Sequence, residues 1–443
     1  MSGKKLWAKG IITDEFIEKF TVGRDREFDL QLASFDIEGS LAHIKMLESI
    51  GLLDTDELDV LERELRRILT EIIKPQHFEI EEGVEDVHSQ IEIMLVRSLG
   101  NIGKKIHAGR SRNDQVLVDL KLFLRSELFE LVYLAKKLFD TLLLRSEEHK
   151  NVLLPGYTHT QAAMPSSFGI WFAAYAESLV DDLVLMQSVH TIVNRNPLGS
   201  AAGYGSSFPL NRELTTDLLN FDSPAVNVVY AQMGRGKTEQ IFAYGMASIA
   251  GTLNKLASDV CLYNSQNFKF INLPDELTTG SSIMPHKKNP DVFELIRAKT
   301  NAILALPNSI SMAISNLTSG YHRDFQILKE LLFPQIQELK SCLEITEYAM
   351  SKVMVNENIL DDSKYDLIFS VEAVNQLVLD GTPFRDAYLL VAKQINEGTF
   401  EPPKEVKHTH LGSIGNLGNE LISERMEKLI NTFSRNLKQA KSL

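Results

Sequence analysis

The chain has 443 residues, of which 44% are hydrophobic, so it can build a core for two or three domains. Its formal net charge of −13 argues against nucleic acid as a main partner, and the longest apolar runs are shorter than the roughly 18 residues of a transmembrane helix. The two cysteines lack the spacing of a zinc site or a disulfide framework. We therefore expect a cytoplasmic protein that binds neither membranes nor nucleic acids.

The N-terminal part of the chain, residues 1–108, is predicted to form a mixed helical domain. Helical patterns cover 35–50 and 56–73, and an acidic stretch follows at 79–85. The pattern changes after residue 108, where much longer helical segments begin. This change in segment length places the first domain boundary.

The central part, residues 109–358, is predicted to form a domain of long helices. Between Asn113 and His149, apolar residues recur every three or four positions, which makes one continuous stripe. Pro307 and Pro334 are expected to kink two of these helices. Further patterns of similar length cover 166–193, 238–268, 291–317 and 324–354.

Several of these central patterns are apolar on more than one face, as in the segment that contains Phe168, Trp171 and Phe172. A helix of this kind must be buried on several sides, so the sequence predicts a bundle that packs against other bundles in an oligomer. Residues 359–443 contain shorter helical patterns and a glycine-rich stretch, which predict a small C-terminal helical domain. The expected fold class is all-α.

Short polar stretches interrupt the long helices, and they carry the functional argument. The stretch GSSIMPHKKNP at 280–290 contains a glycine and two prolines, which force an irregular loop. Its hydroxyl and ammonium groups are suited to an anionic substrate that reacts there. By itself, the stretch could also be an ordinary polar surface loop.

The stretch HAGRSRNDQ at 107–115 lies just before the first long helix. The guanidinium group of Arg112 can bind a carboxylate through two hydrogen bonds, and Asn113 can cap the helix while holding a substrate group. The alternative is a capped helix start with surface arginines, because helix caps are common.

Two further stretches offer polar side chains between helices. In PGYTHTQ at 155–161, threonine hydroxyls flank His159, which can transfer a proton near neutral pH. In LTSGYHRDFQILK at 317–329, Tyr321, Gln326 and Lys329 lie near the start of another helix. A solvated loop histidine and an amphipathic helix with a polar outer face are the simpler explanations.

The stretch AQMGRGKT at 231–238 nearly fits the phosphate-binding pattern GxxxxGK[ST], with alanine in place of the first glycine. It follows an apolar, strand-like segment at 225–230 and precedes a helix, as that motif requires. Phosphate-binding folds of this type also need a parallel sheet of repeated strand–helix units, whereas this chain has long helices joined directly. The sequence therefore does not favour a nucleotide-hydrolysing site.

Together, the order and spacing of these stretches resemble the argininosuccinate lyase family, a branch of the fumarase/aspartase superfamily that includes the delta-crystallins. The loop at 280–290 fits the superfamily signature GSxxMxxKxN, while GRSRNDQ at 109–115 and residues 321–329 point to this branch. FDIEGS at 35–40, EDVH at 85–88 and PGYTH at 155–159 are also close. The resemblance extends over essentially the full length, from about residue 6 to residue 416.

The resemblance implies reversible cleavage of argininosuccinate to arginine and fumarate. Ser281 would take the Cβ proton of the succinyl moiety, and His159, with Thr158, would assist proton transfer to the leaving guanidinium. Lys287 and Asn289 would stabilise the doubly charged aci-carboxylate, because a carbanion beside a carboxylate needs nearby positive charge. A serine acts as a base only if its ionised form is strongly stabilised, so donor and acceptor stay open at this stage.

The resemblance also implies which residues hold the substrate and how the chain assembles. It implies a homotetramer whose central helices form a twenty-helix core, with each site built from several subunits. It implies no metal ion and no organic cofactor. The substrate-binding positions are Ser111, Arg112, Asn113, Arg235, Tyr321, Gln326, Lys329 and His88.

Three departures from the family pattern touch the substrate-facing regions. The stretch at 233–237 keeps only the central arginine, and TVGRD stands at 21–25, where a serine near the substrate is expected. His286 occupies a signature position where glutamine is common. The alternatives are another fumarate-releasing lyase of the superfamily, such as adenylosuccinate lyase or aspartase, or a non-catalytic crystallin-like relative.

Overall fold

The structure is a computed structural model that describes residues 15–74 and 78–440. The outermost residues of the first and third predicted domains, 1–14 and 441–443, lie outside this part of the chain. The α-helices of the described residues are α1 (Glu15–Val22), α2 (Asp25–Asp29), α3 (Ala33–Ser49), α4 (Thr55–Ile73), α5 (Val87–Leu99), α6 (Asn101–Lys104), α7 (Arg112–Glu148), α8 (Phe168–Val193), α9 (Arg212–Leu218), α10 (Val228–Met233), α11 (Lys237–Tyr263), α12 (Asp291–Ala313), α13 (Ile327–Lys352), α14 (Ser370–Leu379), α15 (Phe384–Glu397) and α16 (Asn419–Ala440).

Strands are short and pair only in twos within the described part of the chain. An antiparallel hairpin joins β1 to β2, and it precedes α8. The paired strands are β1 (Leu153–Thr158) with β2 (Gln161–Ser167), β3 (Arg195–Asn196) with β4 (Ser223–Pro224), β5 (Ile271–Asn272) with β8 (Met354–Val355), and β6 (Thr279–Gly280) with β7 (Lys288–Asn289). The predicted all-α class is therefore confirmed.

The five longest predicted helical segments are all present, with ends that differ from the prediction by a few residues. They are α7, α8, α11, α12 and α13, and α11 runs alongside α12 while α7 runs alongside α8. Helix α7 has 37 residues and begins at Arg112, and the preceding Ser111 forms a reciprocal cap with Asp114. Helices α12 and α13 continue through Pro307 and Pro334.

The main hydrophobic core lies between these long helices. Phe168, Trp171 and Phe172 are buried in it within a single chain, so this end of α8 needs no partner subunit to cover it. The indole nitrogen of Trp171 and the hydroxyl of Tyr175 both donate to Asp259 on α11, at 3.0 and 2.6 Å. This end of α8 is therefore buried on several sides, as predicted, and the helices that cover it belong to the same chain.

Other faces of the long helices expose large apolar side chains. Soluble monomers rarely expose extended apolar patches, so these side chains are the ones that an oligomer could cover. The exposed residues are Val184 and Leu185 on α8, Tyr244 and Leu262 on α11, and Leu295, Leu304 and Met312 on α12. In the part of the chain that the structure describes, no helix is both long enough and apolar enough to cross a bilayer.

The two ends of the chain pack differently. Helices α3, α4 and α5 enclose a separate apolar cluster, and α14 and α15 pair around a small one. The last helix, α16, has 22 residues and packs against α7 and α8. This helix is longer than the short C-terminal helices that the sequence predicted.

Candidate active site

A polar cavity of about 160 Å³ lies at the N-terminal end of α7, and most of the predicted substrate-binding residues meet there. Helices α2, α5, α7 and α13 all contribute to its wall. The predicted residues that line it are His88, Arg112, Asn113, Arg235, Tyr321, Gln326 and Lys329. Its other charged residues are Asp25, Asp29, Glu85, Asp86 and Arg323, which the sequence analysis did not select.

Ser111 is the predicted binding residue that holds the start of α7 instead of lining the cavity. Its hydroxyl accepts a hydrogen bond from the backbone of Asn113 at 3.3 Å, and its own backbone N–H donates to Asp114 at 2.8 Å. The Asp114 carboxylate also accepts from the backbone of Gly199 and Ala201, which ties a distant loop to this helix. Burial raises the pKa of Asp114 to about 6, although these backbone donors oppose the shift.

Arg112 lies half-buried at the cavity, where two acidic side chains hold its guanidinium group. It contacts Glu85 at 3.2 Å and Asp86 at 3.0 Å, and it donates to the Ser89 hydroxyl at 2.8 Å. Asp86 in turn caps the start of α5. The charge of Arg112 is thus oriented by residues that belong to the EDVH stretch and the helix that follows it.

Lys329 is a buried cation that lines the cavity, and it is paired with two carboxylates. Its ammonium group contacts Asp25 and lies 2.5 Å from Asp29. Burial opposes its charge, but Asp29 and Asp25 more than compensate and raise the pKa of Lys329. Burial also raises the pKa of Asp25, and Lys329 partly offsets this.

The two acidic partners of Lys329 were missed from the sequence. The signal that could have found Asp25 is the altered TVGRD stretch, which lacks the serine that the resemblance predicts and ends in a carboxylate. Asp29 gave no signal of its own, because it occupies a short helix whose sequence resembles a surface segment.

The end of α1 is joined to α13 across the cavity. The Gln326 amide donates to the backbone oxygens of Thr21 and Val22 at 3.0 and 2.8 Å. Arg323 donates to the Thr21 oxygen at 2.8 Å and pairs with Glu85 at 3.1 Å. The resemblance implies that Gln326 holds the substrate, but its amide N–H groups donate to the backbone of the same chain here.

Arg235 is buried at the cavity, whereas Lys237 is exposed on the first turn of α11. The Arg235 guanidinium donates to the backbone oxygen of Phe325 at 3.3 Å and lies 3.6 Å from Glu239. Residues 228–233 form α10, so the strand-like interpretation of 225–230 is wrong. The parallel pairing of β3 with β4 before it covers only two residues in each strand, and Gly236 packs closely against Ile314.

His88 lies on the cavity wall and belongs to a fully buried cluster with two aspartates. Its Nδ1 is 3.0 Å from Asp36 and 3.4 Å from Asp119, and Gln115 donates to Asp36 at 2.6 Å. By spacing alone, these three side chains form the one group in the described residues that could hold a metal ion. No metal ion was predicted from the sequence.

Thr158 and His159 lie at the exposed tip of the β1–β2 hairpin. Thr158 pairs with Gln161, so His159 and Thr160 form a two-residue turn, and both have positive φ angles of 51° and 60°. Two-residue hairpin turns prefer Asn-Gly because both central residues need this left-handed conformation. A β-branched threonine there is strained, which is a feature of functional sites.

The signature loop is exposed and is held at its base by β6 and β7. The Ser281 hydroxyl oxygen accepts hydrogen bonds from the backbone N–H groups of Met284 and Ile283, at 3.2 and 3.4 Å. Such donors stabilise negative charge on that oxygen, as a serine base requires. Lys287 is exposed in the same loop, and Asn289 lies in β7 at its end.

The predicted catalytic and substrate-binding residues are therefore divided among three places in one chain. Those at the cavity come from α5, α7 and α13 and from the stretch before α11. Within the described residues, neither the His159 hairpin nor the Ser281 loop contributes to the wall of that cavity. A single subunit brings the binding residues together but leaves the predicted proton-transfer residues on exposed loops.

Comparison with known proteins finds relatives that match this chain over nearly its whole length. Residues 8–304 match a family model described as lyase. The argininosuccinate lyase of Parabacteroides distasonis is 63% identical over 431 residues, which are 97% of this chain and 96% of that protein.

Solved structures with low sequence identity share the fold. A variant of EDDS lyase with bound fumarate has a TM-score of 0.74 at 20% identity, with 98% of this chain and 92% of that chain covered. Class II fumarase from Schistosoma mansoni has a TM-score of 0.71 at 16% identity, with 96% and 95% covered.

Proposed function

Because the chain belongs to the argininosuccinate lyase family, we propose that it catalyses the reversible cleavage of argininosuccinate to L-arginine and fumarate. The reaction would serve arginine biosynthesis in the cytoplasm. The polar cavity at the start of α7, where Arg112, Asn113, Gln326 and Lys329 meet, is the structural observation that carries this proposal. Its cations and amides suit a substrate with several carboxylates.

The elimination needs a base, an acid and a means of stabilising the intermediate. We assign removal of the Cβ proton to Ser281, whose oxygen already accepts two backbone hydrogen bonds. His159 and Thr158 would assist the transfer of a proton to the departing guanidinium. Lys287 and Asn289 would stabilise the aci-carboxylate, which carries an additional negative charge once the proton has left.

We further propose a homotetramer in which each site combines residues from several subunits. The exposed loops that carry Ser281 and His159 would complete the cavity of a neighbouring chain. The apolar faces of α8, α11 and α12 support this arrangement, since a twenty-helix core would cover them. Such a site explains why one chain separates the binding residues from the residues of proton transfer.

The domain division that we propose is 1–108, 109–358 and 359–443. The separate apolar clusters of α3–α5 and of α14–α15 support it. Helix α16 also packs on the central helices, so the third domain would be anchored to the second through this helix.

The activity is tested by following the absorbance of fumarate with purified protein and a panel of succinyl adducts. We expect release from argininosuccinate and much slower release, or none, from adenylosuccinate and aspartate. Preference for either of the latter substrates would assign the chain to another lyase activity. Failure to release fumarate from any of them would favour a non-catalytic relative.

Replacing Arg235 with alanine is expected to impair argininosuccinate cleavage much more than replacing Lys237. Arg235 is buried at the cavity, while Lys237 is exposed two residues away, so the pair forms a matched comparison. The loss for Arg235→Ala should be about tenfold or more in kcat/KM, as for a charge-assisted hydrogen bond. Equal effects, or nucleotide binding that Lys237→Ala abolished, would contradict the lyase assignment of this stretch.

The assembly is expected to stay tetrameric at micromolar concentration, because dissociation would expose the apolar faces of α8, α11 and α12. Light scattering measures the mass directly. Replacing Leu304 on α12 with glutamate places a charge on one of these faces and should produce smaller, inactive species. Full activity in a stable monomer would rule out the composite site.

A further inference from the structure

His88, Asp36 and Asp119 form a buried cluster, and the reaction steps proposed above do not involve its two aspartates. It lies directly behind the cavity, because His88 belongs to both the cluster and the cavity wall. Its members come from three elements that position the site, α3, α5 and α7. His88 is 4% exposed and the two aspartates are 1% and 0% exposed, so their charges act without solvent screening.

The two aspartates differ in their hydrogen bonds. Asp36 accepts from Gln115 at 2.6 Å and contacts His88 Nδ1 at 3.0 Å. Among the residues that the structure describes, neither oxygen of Asp119 has a hydrogen-bond donor, and its nearest cationic atom is His88 Nδ1 at 3.4 Å. A buried carboxylate without donors is costly, whereas a protonated carboxyl can itself donate to a neighbouring carboxylate.

We propose that Asp119 carries a proton and donates it in a hydrogen bond to Asp36, so that Asp36 stays ionised against a positively charged His88. Asp119 and Asp36 are then positioning residues, and the imidazolium of His88 supplies positive charge at the cavity wall. The chemical class that this charge would attract is a carboxylate of the substrate. This last consequence rests on the proposed function, while the proton position does not.

The electrostatic surroundings agree with this distribution of charge. Burial, followed by the nearby charge of Asp36, raises the pKa of Asp119 well above its usual range. Burial opposes the ionisation of both Asp36 and His88, but their mutual attraction lowers the pKa of Asp36 and raises that of His88.

The other charged groups that act on the cluster come from several elements. Arg110, just before α7, acts on both aspartates, and Asp29 of α2 acts on His88 and Asp119. Asp86, at the start of α5, also favours the charged form of His88. A metal ion is a poorer occupant than a proton, since it would have to displace the proton of His88 and would be repelled by Arg110.

The proton position is tested by infrared difference spectroscopy on the full-length protein at neutral pH. The spectrum of the unmodified protein minus Asp119→Asn should contain the carbonyl band of a protonated carboxylic acid. Asp140→Asn, at an exposed aspartate of α7, is the control and should show carboxylate bands only. If Asp119→Asn also removes carboxylate bands only, Asp119 is ionised and the proposal is wrong.

A second variant keeps the test decisive if Asp119→Asn does not fold. In Asp36→Asn, Asp119 is the remaining carboxyl group next to His88, so it should release its proton and the acid band should disappear. Persistence of the band would overturn the proposal.

The consequence for substrate binding is measured separately by kinetics. We expect the double variant Asp36→Asn/Asp119→Asn, which leaves His88 Nδ1 without a carboxylate partner, to raise KM for argininosuccinate about tenfold, with a smaller effect on kcat. This rise in KM should shrink as the pH falls, because His88 then regains its proton and its positive charge. In Asp119→Asn the amide N–H replaces the bridging O–H, so KM should change by less than about threefold. An unchanged KM in the double variant would overturn the link to binding. An acid band in a protein that releases no fumarate would refute the proposed function but support the proton position.

Discussion

Replacing Ser281 with alanine is expected to lower kcat by roughly 10²–10⁴-fold, the range for loss of a residue that takes a proton in the transition state. The fold should remain intact, because the hydroxyl lies in an exposed loop and its hydrogen bonds are to the loop's own backbone at 283 and 284. Fumarate release measures the activity, and light scattering shows whether the proposed tetramer persists.

Ser282 offers a matched control, since it is the exposed neighbour of Ser281 in the same loop. Ser282→Ala should keep near-normal activity. Near-normal fumarate release from Ser281→Ala would remove this serine from the role of base.

The same variant also tests whether the site is shared between subunits. Ser281→Ala and His159→Asn should each be inactive alone, but mixed tetramers refolded from both would contain some sites in which neither residue is altered. Recovery of activity on mixing would support the composite site. If no activity returned although mixed tetramers had formed, both residues would belong to the same subunit in each site.

Replacing Lys329 with methionine is expected to lower the free energy of unfolding by about 3–5 kcal/mol, the cost of leaving a buried charge unpaired. The variant would leave Asp25 and Asp29 facing each other without their shared cation. The destabilisation should shrink as the pH falls, because protonation removes the unpaired negative charges. Urea unfolding at several pH values measures both effects, and substrate binding should be lost as well.

Two further variants sharpen this prediction. Lys352 pairs with Glu276 on the surface, so Lys352→Met is the control and should change the stability little. The triple variant that combines Lys329→Met with asparagine at 25 and 29 should recover most of the lost stability, because no buried charge remains. Equal stability of Lys329→Met and the unmodified protein would show that the carboxylates reach solvent.

The long helices could be predicted from the sequence because their apolar spacing repeats over many turns. Helix α7 illustrates this, since its stripe of leucines extends almost from its first residue to its last. The strands β3 to β8 could not be predicted, because a strand of two residues carries no periodicity. The segment before α11 was interpreted as strand-like for its β-branched residues, but Asn227 caps a helix there.

Sequence reasoning identified most residues of the cavity because they cluster in a few polar stretches. It could not foresee their partners, since Asp25 and Asp29 lie some 300 positions away from Lys329 along the chain. Nor could it show that Ser111 caps α7 rather than lining the cavity, because the same serine satisfies both patterns. Ion pairs of this kind depend on which elements the fold brings together.

At the tip of the β1–β2 hairpin, the residues that best suit the backbone conformation differ from the residue that the proposed chemistry needs. His159 and Thr160 hold a left-handed backbone conformation that Asn-Gly adopts readily, and the β-branched Thr160 is strained by on the order of 1–3 kcal/mol. A library of variants selected only for survival of heat should therefore be enriched in His159→Asn and Thr160→Gly. Selection for arginine synthesis should deplete the same replacement of His159, so sequencing both populations would reveal whether robustness and chemistry conflict at this loop.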